Sequence, residues 1–251
     1  MLIYCEEGYF RKMTKKTYVI FGISKGLGKV LTQTVPNDKD IVYGISRSKP
    51  DYLENHKNVE WISADLSNPS KSSVEVKRCI GQNTIDYLIY NVGMWERNGF
   101  SKEYNFEDNS KDEILNLINT NISSCILAIQ AFIGNLKRSK NAKIILIGST
   151  LALDNHNGKE VTFSATKFAL RGITHSLREN LRDCSIGVSI LNLGTLSTRY
   201  GFKEIAESMI EKSIGEIPLQ DVVQAVKFII STSKATCVKE INMPAMKDSG
   251  I

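Results

Sequence analysis

The chain has 251 residues, 42% hydrophobic and 24% charged, which suits one well-buried globular core and is short for two. A net charge of +5, with Lys and Arg dispersed among acids, argues against a nucleic-acid binder, which gathers its cations on one face. Five scattered cysteines without a C-x-x-C pair, and three histidines without ligand spacing, argue for reduced thiols in a cytoplasmic setting and against a disulfide or zinc framework. The first stretch, "MLIYCEEGYFRKM", carries early acids and no apolar signal core, and no uninterrupted apolar run reaches the ~20 residues that cross a bilayer. Met13 reads as a natural start, so residues 1–14 are expected to be an extension or arm on a domain spanning 15–251.

"TYVIFG" (17–22) is a short β-branched run ending in glycine and predicts a buried strand. "KGLGKVLTQTV" follows as a brief helix stopped by Pro36. "DIVYGIS" (40–46), "VEWISA" (59–64), "IDYLIYN" (85–91), "KIILIGS" (143–149) and "GVSILNL" (187–193) repeat the strand signal, and "CVKEINM" (237–243) is a weaker last one. Continuous apolar runs, rather than strict alternation, predict strands covered on both faces, as in parallel sheets. Helical stripes fall over 112–136, over 161–181 and after Pro218. Strand and helix alternate, which predicts an α/β fold with a doubly wound parallel sheet in a single domain.

Between the first strand and helix lies "GISKGLG", containing Gly22, Ser24, Lys25, Gly26, Leu27 and Gly28. Glycines there let backbone approach a pyrophosphate and aim helix N–H groups at it. The second strand ends in Ser46 and Arg47 with no carboxylate, which would prefer a ribose 2′-OH. The guanidinium, with Lys25 beside it, favours a 2′-phosphate, so NADP(H) is expected over NAD(H).

These stretches, together with "ADL" (64–66), "YNVG" (90–93), Asn121 in "NTNISS", "IILIGST", "FSATKFALRGITHSLREN" and "NLGTLST", resemble the classical short-chain dehydrogenase/reductase (SDR) family from about Lys15 onward. The resemblance implies a Rossmann-type sheet of about seven strands with three helices per face. It places Asp65 and Leu66 by the adenine, Asn91 and Gly93 by the adenosine-side ribose and sheet edge, and Gly194, Thr195 and Thr198 at the nicotinamide end. It implies hydride exchange between a nicotinamide and a small-molecule carbonyl or hydroxyl, with Lys167 on the nicotinamide ribose and Asn121 in the proton path. Thr150 matches the family's serine, with Ser149 as its substitute.

The family's tyrosine position holds Phe163. Without that phenol, cofactor binding is expected to survive while ordinary turnover is impaired, whether Phe163 arose by divergence or by engineering. Tyr200 and His156 are the substitute acids weighed. The alternative from another class is a non-catalytic NADP(H)-binding interaction or sensor protein. Residues 199–216 are expected as a short substrate lid, and Trp95, Phe100 and Tyr104 as loop residues near the substrate, with packing their ordinary role. A homodimer or homotetramer joined through the helices at 112–136 and 161–183 is expected, with neither nucleic acid nor membrane as partner.

Overall fold

The computed structural model describes residues 15–154, 156–198 and 215–248. The expected arm at 1–14, Tyr200 and nearly all of the expected lid lie outside the described residues. Seven strands, β1 (Thr17–Phe21), β2 (Ile41–Ser46), β3 (Val59–Ser63), β4 (Tyr87–Tyr90), β5 (Lys143–Ile147), β6 (Gly187–Leu193) and β7 (Glu240–Met243), form one sheet in the order β3-β2-β1-β4-β5-β6-β7. Every pairing is parallel. The order reverses direction between β1 and β4, where two crossovers leave the sheet to opposite sides.

Among the described residues the helices are α1 (Gly26–Thr34), α2 (Pro69–Ile80), α3 (Lys111–Ile118), α4 (Ser124–Leu136), α5 (Val161–Asn180) and α6 (Leu219–Ser231). Side chains alternate between two apolar layers even though the inner strands read as nearly continuous apolar runs. Val19, Phe21, Leu88, Tyr90, Ile144 and Leu146 pack with buried residues of α2, α4 and α5, while Ile20, Ile89, Ile145, Ile147 and Leu191 pack with those of α1 and α6. Strands β1, β4, β5 and β6 are covered on both faces, which is why polar alternation is absent there, whereas β3 and β7 at the sheet edges are partly exposed.

Three departures from the sequence reading have local causes. Helix α2 shows no apolar stripe strong enough to announce it, since only Ser72, Val76 and Ile80 are buried. It is set instead by its ends: Asn68 Oδ1 accepts from Lys71 N at 3.3 Å, Pro69 opens it, and Gly81 closes it at φ +60°. The stripe over 112–136 is broken by a π turn at Asn119–Ser123, between α3 and α4. The Tyr90 hydroxyl donates to the freed Thr120 carbonyl at 2.8 Å. Third, Lys111–Leu136 is by length and composition apolar enough to cross a bilayer, although Cys125, Ala128, Ile129, Phe132 and Leu136 pack in the core layer.

Glycine is required at the switch point. Gly22 has φ +82°, and a methyl group there would collide with the Asn91 carbonyl. Gly134, on the exposed side of α4, meets nothing. Gly22→Ala is expected to lower unfolding free energy by roughly 2 kcal/mol or more, whereas Gly134→Ala raises it by ~0.5–1 kcal/mol, as read from urea midpoints at constant slope.

Candidate active site

The glycine turn leaves β1 with the Gly22 and Ile23 amides still bonded to the Ile45 carbonyl of β2, and opens α1 at Gly26. Gly28 packs so close to the Gly22 carbonyl that a side chain there would overlap it. Asn91 Nδ2 donates to that same carbonyl at 3.1 Å, so the end of β4 braces the turn. Ser24 and Lys25 are exposed, Leu27 is buried beneath, and Gly26 at φ +53° lies close to the Thr198 methyl. The segment after β6 thus folds back beside the turn: Gly194 N donates to Met243 O, and the Thr195 carbonyl accepts from Ile217 N. This cradle has the open backbone that a pyrophosphate needs, and its residues fit a dinucleotide.

At the end of β2, Arg47 is exposed. Neither Arg47 nor Lys25 forms an ion pair among the described residues. The Ser46 hydroxyl is committed elsewhere, donating to Ser48 O at 2.8 Å and accepting from Trp61 Nε1 at 3.0 Å. Asp65 is exposed and accepts from Ser67 N, and Leu66 is buried at its side. A cleft of about 620 Å³ lies at this edge of the sheet, between β3 and α2. It is remote from Lys167, whose site is marked by chemistry rather than by volume.

Lys167 is the central group. It is 4% exposed, and its Nζ donates to Ile147 O at 3.0 Å. The ammonium lies 5.4 Å over the Phe163 ring, one helical turn back on α5, and against Gly93, where a methyl carbon would sit 3.0 Å from Nζ. Gly93 therefore leaves a face of the ammonium uncovered by side chain. Burial pulls the Lys167 pKa down to about 8, and the neighbouring Cys125 acts weakly the other way. Burial also lifts the Cys125 thiol to about 12, with the lysine charge opposing it.

Asn121 sits in the π turn and is fully buried. Its Oδ1 accepts from Met94 N at 2.9 Å, and its Nδ2 donates to Met94 O at 2.7 Å and to Thr166 Oγ1 at 3.0 Å. One amide thereby joins the loop after β4 to α5, one residue from Lys167. Ser149 and Thr150 follow β5 and are buried; Ser149 Oγ accepts from Leu151 N and caps the short turn Thr150–Ala152. That turn is clipped to α5 twice: Ser164 Oγ donates to Leu151 O at 2.9 Å, and Arg171 Nη1 donates to Ala152 O at 2.8 Å. His156 is held by its neighbours: its Nε2 bonds the Ser164 hydroxyl at 2.9 Å and its Nδ1 accepts from Gly158 N at 3.2 Å.

A group that sequence reasoning missed holds the start of α5. Glu96 is 1% exposed, and its Oε1 accepts from Thr162 N at 2.7 Å and Phe163 N at 3.0 Å, while Oε2 is buried without a hydrogen-bond partner. In return, Glu160 Oε1 accepts from Phe100 N at 2.7 Å, and the Tyr104 hydroxyl accepts from Val161 N at 3.2 Å. Loop and helix N-terminus thus grip each other, each carboxylate capping the other's backbone. The readable signal was an acid at the start of a loop that also carries a glycine. A lone Glu in a loop reads as solvated unless the partner helix is known.

The lysine makes stability depend on pH in a definite direction. Folded Lys167 loses its proton near pH 8 and unfolded lysine near 10.5, so between these values the unfolded chain binds more protons. Stability from this group rises with pH across that window, and the desolvation penalty is fully present below it. Lys167→Met is expected to be more stable than the parent at pH 7, by up to about 3 kcal/mol, with the gap closing toward pH 10.5 in urea melts.

Comparison with known proteins supports the same assignment. The profile described as short chain dehydrogenase matches residues 16–209. The 3-oxoacyl-acyl-carrier-protein reductase FabG of Buchnera aphidicola subsp. Baizongia pistaciae is 29% identical over 219 residues, covering 83% of this chain and 84% of that protein. The 3-ketodihydrosphingosine reductase of Bacteroides thetaiotaomicron is 27% identical over 192 residues, covering 75% and 66%. Among solved structures, a short chain dehydrogenase family protein from Francisella tularensis superposes with a TM-score of 0.75 at 21% identity, covering 91% of this chain and 97% of that one. With its parallel sheet, glycine cradle and buried lysine, the chain belongs to the short-chain dehydrogenase family.

Proposed function

We propose that the chain is an NADP(H)-dependent oxidoreductase that exchanges a hydride between the nicotinamide and a carbonyl or hydroxyl substrate, with its proton step impaired at Phe163. The observation that carries this reading is Lys167: a buried ammonium whose one hydrogen-bond partner among the described residues is a carbonyl, open along Gly93, at the C-terminal end of the sheet. A charge held in so dry a place, with no ion pair among the described residues, is costly unless a ligand completes its coordination. The sugar of a nicotinamide dinucleotide is such a ligand, and when bound the dinucleotide supplies the hydride. The two named reductases among the relatives point to ketone reduction as the direction.

The chain's own residues divide the remaining work. The glycine turn from Gly22 to Gly28 binds the pyrophosphate through backbone N–H groups. Lys25 and Arg47 meet the 2′-phosphate, and Asn91, Gly93, Gly194, Thr195 and Thr198 shape the floor. Ser149 and Thr150 orient the substrate oxygen, and Asn121 keeps Met94 and α5 in register. Phe163 keeps the ring that seats the ammonium but lacks the oxygen that would hold and move a proton. A positioned acid of this kind contributes ~10²–10⁴ in rate, so the chain is a slow or redirected catalyst of simple ketone reduction. The missing oxygen is also what favours the second reading, a protein that binds NADP(H) without turning over a substrate. We place the protein in the cytosol as a homodimer or homotetramer, in keeping with the exposed Leu115, Ile126, Val161 and Phe168 on the helices that would meet.

Nicotinamide fluorescence tests both halves. NADPH is expected to bind at least about tenfold tighter than NADH, and Arg47→Asp to remove that preference. Phe163→Tyr is expected to raise ketone turnover by ~10²–10⁴ while leaving NADPH affinity within about threefold. Equal binding of the two coenzymes contradicts the NADP(H) assignment. An unchanged rate on Phe163→Tyr contradicts the proton-transfer role of position 163.

A further inference from the structure

The loop after β4 departs from the reacting corner itself. A side-chain carbon at Gly93 would lie 3.9 Å from Phe163 Cε2 as well as beside the lysine. Within seven residues the chain presents two large aromatic rings, Trp95 and Phe100, each more than half exposed at 54% and 55%. They meet each other and Phe163 edge to face: Phe100–Phe163 centroids are 5.4 Å apart at 84°, Trp95–Phe163 6.4 Å at 89°, and Trp95–Phe100 5.8 Å at 76°. Rings whose role was packing alone would be covered. These cover Phe163, itself 7% exposed, and keep their own outer surfaces open.

The placement of Phe100 is imposed. Its φ is +67°, a left-handed backbone that costs a bulky residue of order 1–3 kcal/mol and that loops ordinarily give to Gly or Asn. What holds it is the Phe100 N–H to Glu160 Oε1 bond, together with Glu96 on the α5 amides, Tyr104 on Val161 N and Asn121 on Met94. Trp95 is fixed by its neighbour: a side chain on Gly99 would come within 3.1 Å of Trp95 Cδ1, so glycine lets the indole lie against the loop. A strained aromatic kept exposed beside a site, on a loop tied down at this many points, is a recognition element set before its ligand arrives.

We propose that Trp95 and Phe100 form a preset aromatic wall that selects a ketone or aldehyde carrying a flat aryl group next to the carbonyl. The inference deepens the oxidoreductase reading and rests on it for the carbonyl. A ligand ring completes the edge-to-face set with both walls, whereas an alkyl chain of equal size gains only buried area.

Acetophenone and octan-2-one, matched in carbon number, are titrated by calorimetry into the intact protein with and without NADPH. Amide and indole NMR signals are followed in parallel, and Trp61, the other tryptophan, serves as internal control. Acetophenone is expected to bind about three- to tenfold tighter and to shift the Trp95 indole signal but not that of Trp61. Trp95→Leu and Phe100→Leu keep apolar surface and remove the ring, so each is expected to erase most of that preference. Circular dichroism checks that the variants fold; should either fail to, the Trp95 shift and the affinity ratio in the parent protein decide. The wall is overturned by equal or tighter binding of octan-2-one, by a preference that survives both substitutions, or by no ketone binding while NADPH still binds. Aryl preference without NADPH binding would uphold the wall and remove the oxidoreductase reading instead.

Discussion

An ammonium buried against a backbone carbonyl and the face of a phenyl ring is the costly constraint that this end of the fold carries. Removing a charge from water costs several kcal/mol, and the Ile147 carbonyl with the Phe163 ring offsets only part of that. Everything near Lys167 limits the remainder without cancelling it. The strand end supplies the acceptor, Gly93 withholds a side chain, and the depressed pKa records the residual penalty. Such a site is stable only because the sheet and α5 are rigid on both sides of it.

That rigidity comes from a small set of polar bridges rather than from the apolar layers alone. Asn121 ties the loop after β4 to α5, Ser164 and Arg171 tie the turn after β5 to α5, and Glu96 with Glu160 closes the loop on the helix start. Each bridge ends on the one helix that carries positions 163 and 167. The helix is therefore fixed in rotation and translation relative to the strand ends. On the proposed reading, replacing a phenol by a phenyl changes the chemistry of one atom and leaves this scaffold intact. The Phe163 ring itself meets Trp95 and Phe100 edge to face.

Much of this was legible in the chain itself, for physical reasons that differ by element. Strands β1, β4, β5 and β6 are covered on both faces, so their unbroken apolar runs stand out. The glycine turn was visible because only glycine tolerates the φ of Gly22 and the approach of Gly28. Helix α2 was not, since it buries three small or medium residues and owes its limits to Asn68, Pro69 and Gly81. The π turn at Asn119–Ser123 hid inside a helical stripe that continues across it, and only the Tyr90 and Asn121 bonds reveal it. Ser46 read as a cofactor contact from its place at the strand end, yet its hydroxyl turns toward Trp61 and Ser48, partners that no local pattern announces. The mutual capping by Glu96 and Glu160 joins residues 60 or more apart and is a product of topology.

The central claim is that the Lys167 ammonium is held ready for the sugar of a nicotinamide coenzyme. The direct measurement is a side-chain NMR titration of Lys167, following its ¹³Cε shift against pH in the free protein and in the protein saturated with NADPH. The account predicts a free-state midpoint well below that of an ordinary lysine, near 8, that moves upward when coenzyme completes the coordination of the charge. A midpoint that starts in the ordinary lysine range, or one that coenzyme leaves unmoved, would contradict it.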